Sequence, residues 1–251
     1  MATSALRIAD DVRHDTPDVD PRHSFLAGLP AGRIWQADRF AQRPGAVLPT
    51  GFSALDAELP GGGWPAGALI ELLLERPGVG ELSLLLPLLG RTPPEQWIVW
   101  LAPPLLPYAP ALARAGVPLA RLLIVRPEHP HALLWAARQA AVSGSCSAVL
   151  AWMPRIDNTG LRRLQLAAEE SATPLFLFRP DAVAGQPSPA PLRLMLSARS
   201  AQLEVRILKR RGPPAARPLL LDVRAGEQTL SEAGNPQGIV GMLGVVGDGT
   251  R

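Results

Sequence analysis

The residues best placed to do chemistry lie between positions 69 and 89. Leu69–Leu74 reads as a short buried strand. Glu75, Arg76, Pro77, Gly78, Val79 and Gly80 follow, and then a leucine-rich run over 82–89 that reads as helix. Strand, glycine turn and helix in this order form the layout of a phosphate loop, whose pattern is Gly, four residues, Gly, Lys and Ser or Thr. With Gly80 as the second glycine, Glu75 stands at the first, Glu81 at the lysine and Leu82 at the Mg²⁺-binding hydroxyl. The lysine of such a loop neutralises the β- and γ-phosphates. Glu81 instead sets negative charge against negative charge, a repulsion of a few kcal/mol at an effective dielectric of ~20. Lys209 is the only lysine in the chain, so none substitutes locally. Gly78, Gly80, Glu81 and Leu82 are thus read as a vestigial phosphate loop, with no catalytic residue, cofactor or metal expected. Gly78 and Gly80 still permit a turn with inward-pointing N–H groups, which leaves nucleotide binding without turnover open.

Several segments must position this loop. Residues 49–65 combine a helix-like Phe52-x-x-Leu55 pair with the turn cluster Pro60-Gly61-Gly62-Gly63. Downstream, strands are expected at 96–102, 122–125, 148–152 and 174–178. Helices are expected at 106–116, 130–143 and 159–171, the first of them capped by Gly116. This alternation predicts an α/β fold, a mainly parallel sheet with crossover helices. Beyond a Pro/Gly/Ser loop at 181–191, strands at 192–197, 202–208 and 219–223 have no helices between them and predict an antiparallel edge meander. Residues 1–45 read as a partly disordered N-terminal extension. Within it, 23–40 is apolar enough to pack on the core. Residues 46–223 read as the core domain, and 224–251 as a Gly-rich tail.

A chain of 251 residues that is 47% hydrophobic can bury a sizeable core, and its net charge of +3 is mild. Cys146 is the lone cysteine, which excludes an intramolecular disulfide and a cysteine-based zinc site. No leader is visible, and the most apolar stretch, 68–89, is broken by four charged residues. A reducing cytoplasm is the expected compartment, with no membrane contact.

The segment Leu48-Pro49-Thr50-Gly51-Phe52-x-x-Leu55-Asp56, followed by Gly61-Gly62-Gly63-Trp64-Pro65-x-Gly67-x-x-x-Glu71, resembles the series that precedes the phosphate loop of RecA proteins. The similarity runs through Gly116-Val117, Leu122-Leu123 and 148–152 to a hairpin around 203–211, roughly residues 46–223. Positions 48–65 are most similar to the ImuA-type, SulA-like bacterial subfamily. That resemblance implies a RecA-like core and a non-catalytic adaptor of the SOS DNA-damage response, supporting error-prone translesion synthesis. Its implied partners are a Y-family polymerase-like protein and RecA filaments, with weak DNA contact and a nucleoid-associated location. A DNA-stimulated ATPase with a rearranged loop and a SulA-like cell-division inhibitor are the alternatives.

The resemblance also identifies two further positions. The strand at 148–152 ends Ala151-Trp152-Met153, where an aspartate would support Mg²⁺, and no acid occurs before Asp157. Ala102, Pro103 and Pro104 stand where a RecA-type enzyme carries the glutamate that activates water. Hydrolysis is not expected.

Arg206, Lys209, Arg210 and Arg211, with Arg193, Arg199 and Arg217 nearby, form the densest cationic series and read as a hairpin tip. It is either a solvated face or a contact for a partner or phosphate through Lys209, Arg210 and Arg211. Lys209 and Arg211 match the lysines that reach a neighbouring subunit's ATP in RecA filaments. The segments 154–160 and 180–191, which match the RecA DNA-binding loops, are not strongly basic. Trp97, Trp100, Trp135 and Trp152 are expected in the core, and Trp35 and Trp64 near turns where a partner could reach them. His129 and His131 read as surface-loop residues, Cys146 as a buried inert thiol, and Ser53 and Ser83 as lacking any His/Asp constellation.

Overall fold

The computed structural model of the chain describes residues 46–215 and 217–223. The segments read as extension and tail, Trp35 among them, lie outside these residues. No described helix is long and apolar enough to cross a membrane.

Eight strands form one sheet. β3 (Leu69–Leu74), β4 (Trp97–Leu101), β5 (Leu122–Val125), β6 (Cys146–Trp152) and β7 (Leu175–Pro180) are joined by β8 (Leu192–Arg199), β9 (Gln202–Lys209) and β10 (Leu219–Leu221). Their order is β10-β9-β8-β3-β7-β6-β4-β5, with β3 well inside the sheet. Pairings from β8 to β5 are parallel, and β8-β9 and β9-β10 are antiparallel. All six residues of β3 are buried, as expected for a central strand covered on both faces.

Alternation along the strands divides the core. Ile70, Leu72, Leu74, Ile98, Trp100, Leu150, Trp152, Phe176 and Phe178 face one way, towards the phosphate-loop segment and α1 (Ser53–Glu58). Leu69, Val99, Leu101, Val149, Ala151, Leu175 and Leu177 face the other, where two long helices cover them. The residues before β3 make a separate two-stranded clasp, β1 (Val47–Leu48) against β2 (Trp64–Pro65).

Proline shortens the remaining helices. The run at 82–89 is helical only as α2 (Leu86–Leu89), after a string of turns. Pro87 has no N–H for the ladder and restricts Leu86 before it. The helix expected at 106–116 is α3 (Ala109–Arg114). Gly116 does end it, at φ +78°, with Val117 N–H donating to the Leu112 carbonyl at 3.0 Å. The two long helices, α4 (Pro130–Val142) and α5 (Asn158–Ser171), fall within a residue of expectation.

Candidate functional site

The loop between β3 and α2 is held in its turn by two glycines in the left-handed region, Gly78 at φ +88° and Gly80 at φ +109°. Its N–H groups do converge on an anion, and that anion is Glu81. Gly78 N–H donates to Glu81 Oε1 at 2.8 Å and lies 3.1 Å from Oε2, and Gly80 N–H donates to Oε2 at 3.1 Å. Glu81 is only 4% exposed. The residue at the lysine position therefore folds back and fills the nest with its own carboxylate. Charge-assisted bonds of this kind are about twice as strong as neutral ones. A nucleotide phosphate would have to displace them. The four-residue α2 behind the loop adds little dipole to compensate.

Aromatic packing surrounds the neighbouring strand ends. Trp152, at the end of β6, stacks on Phe178 with ring centroids 4.4 Å apart and meets Trp100 edge-on at 5.9 Å. Aromatic rings thus fill the strand end where a metal-supporting acid would stand. Asp157 caps α5, accepting from Gly160 N–H at 2.7 Å. Ala102 sits at φ +52°, strained for a residue with a Cβ, and its N–H donates to the Val125 carbonyl at 2.8 Å. Among the described residues no group of three or more His, Cys, Asp and Glu can hold a metal. His129 precedes α4, and His131 lies in its exposed first turn rather than in a loop. Burial pushes the Cys146 thiol up, partly offset by its hydrogen bond with Ser143.

The glycine-rich series ahead of the loop does structural work. Thr50 is fully buried and its N–H donates to Asp56 Oδ1 at 2.9 Å, while its hydroxyl accepts from Phe52 N–H at 3.0 Å. A Cβ on Gly63 would come within 2.4 Å of the Leu48 carbonyl oxygen, so only glycine lets the clasp close. Trp64 is fully buried, edge-on to Phe176 at 5.3 Å. The expectation of a partner-facing Trp64 is corrected by that packing. Two of the expected core tryptophans are corrected in the other direction. Trp97 is 39% exposed under the Arg121 guanidinium, and Trp135 is 65% exposed.

The cationic series is dispersed. The β8-β9 turn is at Ser200, φ +53°, so Lys209, Arg210 and Arg211 lie at the opposite end of the hairpin from its tip. Because β8 runs parallel to β3, that end is also away from the phosphate loop. Lys209 Nζ donates to the Ser188 carbonyl at 2.8 Å. Arg210 pairs with Glu58 Oε2 at 2.7 Å and also bonds the Glu58 carbonyl, so it has an internal partner. Arg199 pairs with Glu204 at 3.0 Å. Arg206, Lys209, Arg211 and Arg217 remain exposed.

Arg193 is not part of this surface. It is buried, and its Nε donates to Glu71 Oε2 at 2.5 Å. Glu71 also receives Arg179 Nη1 at 2.8 Å. Local spacing does not reveal this triad, since Arg179 and Arg193 lie 108 and 122 residues from Glu71. The available signal was Glu71 itself, a lone acid inside an apolar strand, because a buried charge needs a partner.

The arrangement defines a mixed α/β protein whose glycine turn after β3 is filled by its own glutamate. Residues 68–174 match the family model described as cell division inhibitor SulA. The match begins one residue before β3 and ends just before β7. The SulA of Yersinia enterocolitica is 28% identical over 116 residues, 46% of this chain and 69% of that protein. A Yersinia pestis SulA is 31% identical over 99 residues, 39% of this chain and 59% of that protein. The crystal structure of SulA from Pseudomonas aeruginosa is 25% identical and covers 46% of this chain and 98% of its own, with a TM-score of 0.38. The family model matches the middle of the chain and less than half of its length.

Proposed function

We propose that this chain is a non-catalytic, protein-binding component of the bacterial SOS response that acts as a SulA-type inhibitor of cell division. The match of residues 68–174 to the SulA family carries this reading. Glu81 supports its non-catalytic half, because the carboxylate occupies the N–H groups a nucleotide would need. Regulated expression in growing bacteria tests it by cell length. Filaments with segregated nucleoids are expected, and normal division at high protein level overturns it.

A second reading is favoured by the parts outside that match. The clasp of β1 and β2 and the three strands β8 to β10 complete the same core. The motif within the clasp carries the resemblance to the ImuA-type, RecA-like subfamily. On this reading the chain is an adaptor for translesion synthesis, binding a Y-family polymerase-like partner and RecA filaments. Exposed Lys209 and Arg211 would then contact the partner or its phosphates. Damage-induced mutation frequency in a deletion strain separates the two. A fall to the uninduced level with normal division supports the adaptor, and unchanged mutagenesis contradicts it.

A further inference from the structure

Arg179 has more donors than the described residues satisfy. Its Nη1 donates to Glu71 and its Nη2 to the Ile156 carbonyl at 3.4 Å, but its Nε–H is buried without a hydrogen-bond partner among the described residues. Buried donors are nearly always paired, so an orphan calls for an acceptor. Arg179 also lines a cleft of about 550 Å³ between the loops that follow β6 and β7. Arg155, Ile156, Asp157, Val183 and Gln186 share its walls. The cleft is shallow and open to solvent, so a small ligand would rest against its wall rather than be enclosed.

Charge gives the ligand its sign. Glu71 supplies one negative charge against two buried guanidiniums, Arg179 and Arg193, so the triad has an excess of one positive charge. Arg193 is fully engaged, because its other nitrogens hold the carbonyls of Val183, Ala184 and Gln186. On the cleft wall, Arg155 and Asp157 cancel, with Asp157 engaged in capping α5. The cleft therefore suits one negative charge, and a phosphate dianion would leave one in excess. Ile156 and Val183 offer apolar surface to a short aliphatic body.

We propose that this cleft binds a small monocarboxylate, with Arg179 Nε–H as its buried donor and Arg155 as the exposed cation beside it. This stands independently of the function proposed above. The carboxylate belongs either to a free small acid or to the C-terminus of a peptide.

The test uses the full chain and the ¹H–¹⁵N resonance of Arg179 Nε, titrated with sodium butyrate against sodium chloride at equal ionic strength. Saturable displacement by butyrate alone is expected, weakened about tenfold in Arg155→Ala, as suits loss of a charge-assisted contact. Val183→Trp, whose indole fills the cleft against Arg179, should abolish it while leaving the circular dichroism unchanged. No displacement, or equal displacement by chloride, overturns the proposal, as does butyrate binding retained in Val183→Trp. The peptide Ala-Ala-Leu with a free or amidated C-terminus separates the two sources. Tighter binding of the free form than of butyrate assigns the site to a peptide terminus, and butyrate binding alone assigns it to a free acid. Equal binding of both peptide forms contradicts a carboxylate site.

Discussion

Glu71 and Glu81 are ten positions apart, one inside the central strand and the other just after the glycine turn. Both carboxylates are nearly inaccessible, yet they are satisfied by opposite means. Glu71 is neutralised by two guanidiniums brought from β7 and β8. Glu81 has no ion-pair partner among the described residues and rests on backbone N–H groups of its own loop. The first carboxylate ties three strands together and, through its arginines, fixes the loops at 153–157 and 181–186. The second stabilises the glycine turn after β3. The contrast teaches that a buried acid in this fold is read by its partners, since identical side chains serve the scaffold in one place and close a site in the other.

Breaking the scaffold side should cost most. Glu71→Ala leaves two buried guanidiniums without their counter-ion, so urea unfolding should show a loss of about 3–5 kcal/mol. A loss under about 1 kcal/mol would mean that the triad is solvated.

Glu81→Ala should cost less, about 1–3 kcal/mol, because the freed N–H groups lie near the surface where water replaces the carboxylate. It should also gain something. Pyrophosphate should raise the melting temperature of Glu81→Ala and leave the wild type unmoved. Equal shifts in both would show that the carboxylate does not occupy the nest. Glu81→Lys should still fail to hydrolyse ATP, because Leu82 and the aromatic end of β6 remain.

The surface cations should matter least to stability. Arg210→Ala removes a partly exposed pair with Glu58, worth up to about 1 kcal/mol. Reversing Lys209 and Arg211 should change stability by less than about 0.5 kcal/mol. If these two residues serve a partner, the same reversal weakens association with the polymerase-like protein or RecA filaments in a salt-dependent way. Unchanged binding makes them a solvated face. Cys146, held protonated by burial, should alkylate far more slowly at neutral pH in the native protein than in urea.

The strands were legible because the parallel strands are largely apolar runs, both buried Leu69–Leu74 and the partly exposed edge strand Leu122–Val125. Helix lengths were less legible. Leucines at 82–89 have helical spacing, but Pro87 and the prolines around Tyr108 cut the ladders short. The tryptophans misled because an indole is apolar enough for the core and polar enough for the rim. Trp64 went in and Trp135 stayed out according to tertiary neighbours that no local window contains. At the candidate site, Glu81 was identifiable as the wrong residue for a phosphate loop. That its carboxylate turns back onto the N–H groups of Gly78 and Gly80 was not legible, because it depends on the three-dimensional course of the turn. The distant arginines of Glu71 were invisible for the same reason, and this removed Arg193 from the cationic series.

The central claim is that the Glu81 carboxylate holds the place of a phosphate, so the protein works without nucleotide. Calorimetric titration of the wild-type chain with ATP and Mg²⁺ tests it most directly. No saturable heat is expected, with or without single-stranded DNA. Saturable binding that is lost when Gly80 is changed would contradict it.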